Sequence, residues 1–267
     1  MKKQEKKSGI LMHVSSLHGN YSCGSFGKSA YEFIDFLKLG GQTYWQILPI
    51  GPTSFGDSPY QSFSSFAGNP YFIDLDMLVD DGLLEESEIK SCDFGNDNST
   101  VDYQKIYTSR YPLLQKAFSR FNGSDDYNAF LCDNADWLCD YALFMALKSF
   151  HGGASWQEWD IVYKTRDKFA LENFQDKYIK EINFHKFLQF KFYKQWSALK
   201  KHANKNDVKI IGDIPIYVAL DSADVWSNPR QFQLDNDYSP KAVAGVPPDA
   251  FSQDGQLWGN PLYDWDY

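Results

Sequence analysis

Residues 8–49 read SGILMHVSSLHGNYSCGSFGKSAYEFIDFLKLGGQTYWQILP, and this stretch decides the fold class. Residues 10–14 (ILMHV) form a short apolar run with the character of a buried strand. Gly24 and Gly27 then break the chain. Ala30, Phe33, Ile34 and Leu37 recur at helical spacing, and Gly40-Gly41 closes that helix. Residues 43–49 (TYWQILP) are a second strand. Strand, helix and strand within about 40 residues make a βαβ unit, which predicts a parallel sheet.

Outward from this unit the chain changes character. Residues 51–71 are rich in Gly, Pro, Ser and aromatics without periodicity, and a loop of that length inside a domain is commonly functional. Residues 72–130 read as an irregular insertion with short helices, including the acidic stretch 80–88. Helical spacing returns at Trp137, Tyr141, Phe144 and Met145 and ends at Gly152-Gly153. A longer helix is expected over about 176–205, carrying Ile179, Ile182, Phe187, Leu188, Trp196 and Leu199. Residues 208–214 (VKIIGDI) are a third strand, and 226–263 are again loop-like.

Three clear parallel strands fall short of the eight that a (β/α)8 barrel places in roughly 250 residues. The expected organisation is α/β: the first βα units of a barrel over 1–50, an active-site loop and inserted helical subdomain over 51–205, and a further strand with a lid loop over 206–267. The remainder of the barrel is expected to lie outside this sequence. A part-barrel leaves an unpaired edge.

Composition narrows the function. A formal net charge of −9 argues against nucleic acid or an anionic membrane as partner and favours a neutral, hydroxyl-rich ligand. Aromatics make up 17% of the chain, more than a core ordinarily needs, so some rings are expected to face a ligand. No apolar run approaches the roughly 20 residues of a membrane span. Cys23, Cys92, Cys132 and Cys139 form no C-x-x-C pair, and MKKQEKKSG runs into ILMHV without a secretory h-region. These features predict reduced structural thiols in a cytoplasmic protein. Cys132 and Cys139 are expected on one helix face, as packing residues. The histidines show no metal spacing, and no phosphate loop, nucleophile elbow or zinc signature occurs, so neither metal nor cofactor is expected.

In a βα barrel the site lies beyond the C-terminal strand ends. That rule nominates residues 13–17, with His13 at the strand end, residues 49–71, and Asp213 with the loop after it. Asp213 reads either as a carboxylate aimed at sugar hydroxyls or as a strand-end aspartate capping the next turn. Asp57, Ser58, Pro59, Tyr60 and Gln61 combine a ring face with hydrogen-bonding groups, as a sugar requires, and equally make an ordinary D-S-P-Y turn. Residues 245–263 (GVPPDAFSQDGQLWGNPLY) have prolines at one end and Gly255 and Gly259 loosening the other. They suit a lid carrying Phe251 and Trp258, or a rigid surface loop.

Taken together, SGILMHVSSL, SFGKSAYEFIDFL, YWQILPIGPT, GDSPYQSFSSFAGNPYFIDL, IIGDIPIYVALDSADVW and GVPPDAFSQDGQLWGNPLYDW resemble glycoside hydrolase family 77, the amylomaltases or 4-α-glucanotransferases. These stretches run in family order over residues 8–265. The resemblance implies an α-amylase-type barrel with an inserted subdomain. It also implies transfer of an α-1,4-glucan segment to the 4-hydroxyl of another glucan or of glucose, by a retaining double displacement. The expected partners are α-1,4-glucans and maltooligosaccharides, with glucose as acceptor.

By the same resemblance Tyr60 stacks on the donor sugar with Ser58 and Gln61 in support, and Asp213 binds substrate. Asp249, Phe251, Gln256, Trp258 and Asn260 lie in the loop over the groove. Phe55 stands where some members place an outer-site tyrosine, and Ala250 departs from members with a second aromatic. The family's nucleophile lies in an R-x-D-H motif beyond the G-N-P-L-Y-D-W segment, and no R-x-D-H occurs here. The catalytic carboxylates are therefore expected beyond Tyr267, and the chain alone is expected to be inactive. The alternative reading is a non-catalytic glucan-binding protein or the remnant of a truncated gene.

Overall fold

A computed structural model describes residues 6–53, 57–95 and 100–267. Along the chain it places β1 (Gly9–Leu11), α1 (Lys28–Leu39), β2 (Tyr44–Gln46), α2 (Leu75–Asp80), α3 (Glu86–Lys90), α4 (Tyr103–Arg120), α5 (Asp125–Asp133) and α6 (Ala135–Phe150). There follow α7 (Ile161–Lys164), α8 (Lys168–Lys177), α9 (Ile179–Lys205), β3 (Lys209–Ile211), α10 (Ala223–Ser227), β4 (Val243–Val246) and β5 (Gln256–Pro261). Contacts divide the chain into two units. The first comprises 1–50, 68–130 and 187–213, and the second 51–67, 131–186 and 214–267, so the stretch 51–205 is shared between them.

In the first unit β1, β2 and β3 form a parallel sheet in that order, with Ile10, Trp45 and Ile210 in register. Trp45 is fully buried against Phe33 of α1, ring centroids 5.2 Å apart, and its indole N–H donates to the Met12 carbonyl at 2.7 Å. The return from α1 into β2 is a Schellman closure: Gly41 adopts φ +68°, its N–H bonds the Lys38 carbonyl, and the Gln42 N–H bonds that of Leu37. The opposite sheet face carries Leu11, Gln46 and Ile211, and Leu11 is 56% exposed. The strand expected over 10–14 is therefore shorter and less buried than its composition implied. Ladder pairing stops near Met12, and Val14–Ser16 turn into a 3-10 helix.

Residues 68–74 are held against α9 by two buried glutamines. Gln189 accepts from the Gly68 N–H (2.7 Å) and donates to the Gly68 carbonyl (2.9 Å). Gln195 does the same for Asp74, at 2.7 and 3.1 Å. Each amide satisfies a backbone donor and acceptor that burial would otherwise leave unpaired. Around them Phe26 packs on Phe72, Phe192 and Trp196, with ring centroids 5.0–5.8 Å apart. A Cβ on Gly68 would come within 2.1 Å of the Phe192 ring, so the close approach requires glycine.

Several sequence expectations need correction. The stretch 72–130 contains the 18-residue α4, whose interior Pro112 and aromatic-rich faces hid its periodicity. The long helix expected over about 176–205 is present as α9, beginning at Ile179, and a separate helix, α8, precedes it. Cys132 and Cys139 do not share a helix face: α5 and α6 are separate helices, joined through Asn134 at non-helical ψ 16°, and both thiols are exposed. Residues 226–263 are not merely loop, because β4 and β5 pair antiparallel, with a register shift at Val243/Gly245.

Replacing Gln189 by Leu should lower the unfolding free energy by about 3 kcal/mol, since the Gly68 N–H and C=O would stay buried and unpaired. Urea denaturation reads this directly.

Candidate functional site

In the first unit His13 and Asp213 follow the C-terminal ends of β1 and β3, so the parallel sheet carries them to one edge. Asp213 is exposed. His13 packs edge-on against Phe72 (5.5 Å), and its buried Nδ1 has no hydrogen-bond partner among the described residues. Burial lowers its pKa to about 4, so the imidazole is neutral at physiological pH.

The remaining nominated residues lie in the second unit, apart from Phe55, which falls outside the described residues. Asn260, at the end of β5, is buried and fully used. Its Nδ2 donates to the carbonyls of Val218 (2.9 Å) and Tyr217 (3.3 Å), and its Oδ1 accepts from Gln61 Nε2 (3.3 Å). One amide thus ties residues 58–61, the segment after Asp213, and β5 together. In the neighbouring turn Ser58 Oγ accepts from the Tyr60 N–H at 3.3 Å, and Tyr60 is 45% exposed. Asp57 sits at φ +53°; burial raises its carboxyl pKa, opposed by a hydrogen bond from Thr53.

On β5 the indole N–H of Trp258 donates to Gln256 Oε1 at 3.0 Å, which fixes the half-exposed ring. Trp258 continues into an aromatic row through Tyr217 (6.2 Å) and Tyr263 (6.4 Å) to Phe232 and Trp265. Tyr263 donates its hydroxyl proton to the Ile216 carbonyl at 2.9 Å. Tyr217 and Tyr263 lie inside the family-like stretches but are not among the residues nominated from sequence. The signal was a tyrosine two residues before Ala219 and another just after N-P-L at the end of β5, too common a pattern to single out.

The connection from β4 to β5 is built rather than loose. Asp249 Oδ1 accepts from the N–H groups of Phe251 and Ser252, both at 2.8 Å, and Ser252 Oγ donates to the Gly255 carbonyl. Gly255 lies at φ +71°, where a Cβ would meet the Val246 carbonyl at 2.4 Å. The expectation that Gly255 and Gly259 loosen this end is therefore corrected for Gly255: it is the residue that lets the turn close. Asp249 spends its carboxylate on the tip, and Phe251 stands at that tip almost fully exposed (96%).

Ring faces, amides and hydroxyls gathered in this way can bind a neutral polyol by stacking and hydrogen bonding. Among the described residues no group of three His, Cys, Asp or Glu side chains could hold a metal ion. No helix of the described residues is long and apolar enough to cross a membrane.

The family model of glycoside hydrolase family 77, described as 4-alpha-glucanotransferase, matches residues 12–267. The chain belongs to that family. It is 52% identical to a 4-alpha-glucanotransferase of Clostridium butyricum, over 96% of this chain and 53% of that protein. A Thermus thermophilus 4-alpha-glucanotransferase is 47% identical, over 97% of this chain and 52% of that one. Among solved structures, an amylomaltase from Streptococcus agalactiae in complex with acarbose superposes with a TM-score of 0.94 at 46% identity, over 98% of this chain and 54% of that one. The chain therefore has the α/β fold of that amylomaltase over the matched region, and it spans about half the length of its curated family relatives.

His13 gives a pH test. Its folded pKa lies below the unfolded value of about 6.5, so the unfolded state takes up the proton first. Its contribution to stability is present above pH 6.5 and is lost as pH falls from 6.5 towards 4. Imidazole NMR should show no titration of His13 between pH 5 and 8, and His13→Gln should flatten the fall of stability across that window.

Proposed function

We propose that the protein is a 4-α-glucanotransferase and that this chain supplies one wall of its glucan-binding groove. On this reading the three parallel strands are part of a (β/α)8 barrel whose C-terminal edge carries His13 and Asp213. The substrates are α-1,4-glucans and maltooligosaccharides, and glucose can serve as acceptor.

The observation that supports this best is the amide junction at Asn260. It holds Gln61 beside the exposed Tyr60 and closes onto the backbone at Tyr217, whose ring neighbours Trp258. A pyranose offers alternating C–H faces and hydroxyl edges, and this arrangement offers rings and amides in the same order. Tyr60 stacks on a sugar with Ser58 and Gln61 in support, and Gln256 and Asn260 hold Trp258 and the β5 backbone in place. Asp213 bonds hydroxyls at the strand edge. Asp249 shapes the tip that presents Phe251 over the bound glucan. The likeness to an amylomaltase whose structure contains acarbose supports a sugar ligand of this class.

The reaction follows retaining logic: a carboxylate nucleophile forms a glucosyl-enzyme, and a second carboxyl group protonates the leaving oxygen and then acts as base for the acceptor hydroxyl. No Asp or Glu of this chain is assigned either role. The groove wall favours transfer over hydrolysis by holding an acceptor sugar where water would otherwise attack.

Calorimetric titration with maltoheptaose should give saturable binding. Trp258→Ala and Tyr60→Ala should each weaken it by about tenfold, the loss of roughly 1.4 kcal/mol of stacking. Absence of heat for the unsubstituted chain would contradict the proposal.

A further inference from the structure

Lys148, in α6, is buried, with only 7% of its surface exposed. Nζ lies 2.5 Å from Asp221 Oδ2 and 3.2 Å from the Ala154 carbonyl, and sits 4.9 and 5.9 Å from the ring centroids of Phe63 and Phe144. A buried charge is costly unless it is paired, and this one is paired with Asp221, itself not among the nominated sugar contacts.

The contacts close into a ring. Lys148 binds Asp221, three residues from Val218, whose carbonyl accepts from Asn260 at 2.9 Å. Asn260 accepts from Gln61, which lies two residues from Phe63, and the Phe63 ring lies under Lys148. The Ala223 N–H donates to the Phe63 carbonyl at 2.8 Å and braces the two segments. On its outer side Asp221 Oδ1 accepts from the Trp156 N–H (3.3 Å), and the Trp156 indole donates to the Leu220 carbonyl (2.8 Å).

We infer that the Lys148–Asp221 pair is a positioning element for glucan binding: it sets the spacing between residues 58–63 and 216–222, and so the seat of the Asn260 amide and of Gln61. The inference rests on the glucan reading given above. Neither Lys148 nor Asp221 touches sugar. They act through Val218, Phe63 and Asn260, so removing the ammonium loosens both arms of the ring, which stay joined by the Ala223–Phe63 bond. A role in bulk stability alone would instead be replaceable by apolar side chains of similar volume.

Two variants separate these roles. Lys148→Met leaves the Asp221 carboxylate without its cation, and Lys148→Met/Asp221→Leu removes both charges. Hydrogen–deuterium exchange of Lys148→Met should quicken about tenfold at 58–63 and 216–222 while the β4–β5 amides keep their wild-type rates. Maltoheptaose affinity should fall about fivefold, roughly 1 kcal/mol. The double variant should recover the wild-type melting temperature while its affinity and exchange stay altered. Unchanged exchange in the two segments, or an affinity that returns with the melting temperature, would overturn the inference. The exchange arm needs no sugar. A wild-type chain that gives no heat with maltoheptaose overturns the glucan reading, and exchange still decides whether the pair positions these segments.

Discussion

The constraint on which the first unit depends is the satisfaction of buried backbone by Gln189 and Gln195. Residues 68–74 must leave the loop after β2 and pass through the core without a strand partner. Their polar groups cannot stay unpaired there. Two side-chain amides of α9 stand in for a neighbouring strand and bond Gly68 and Asp74 on both donor and acceptor sides. The segment is then rigid enough for Phe72 to join Phe26, Phe192 and Trp196, and for its carbonyl to accept from the Phe26 N–H at 2.9 Å. Arg110 donates to the carbonyl of Ile73 in the same stretch, from a position with no exposed surface.

The second unit repeats the device at Asn260. Asn260, on β5, bonds two carbonyls and one amide of segments that have little regular structure of their own. In both units a carboxamide serves because it carries donor and acceptor without charge, so it can be buried and still complete the pairing of two other groups. In the second unit the buried charge of Lys148 is paired with Asp221 and lies over aromatic rings. The aromatic residues therefore divide between tasks. Phe26, Phe192 and Trp45 are core, whereas Tyr60, Trp258 and Phe251 stand at the surface.

Much of this was legible in sequence where local chemistry dominates. The apolar stripe Ala30, Ile34 and Leu37 and the Gly40-Gly41 pair located α1 and its closure, and the β-rich runs located three parallel strands. What was not legible came from long-range pairing. β4 and β5 are separated by a nine-residue connection and meet with a register shift, so no period-two signal reveals them. α4 carries Pro112, which argues against a helix interior unless packing overrides it. The nominated residues came from barrel geometry, from ring and amide chemistry and from the resemblance to family motifs, and none of these pointed to Tyr217, Tyr263 or Lys148. Their roles depend on partners tens of residues away, and residue type alone does not disclose them.

The central claim is that rings of the second unit lie against the faces of a glucan. Saturation-transfer NMR tests it most directly: aromatic protons of the chain are irradiated and the transfer to maltoheptaose is read. The account predicts strong transfer to the ring C–H protons, lost when Tyr60 and Trp258 are both replaced by Ala. Absence of transfer, or transfer that survives that double replacement unchanged, would contradict it.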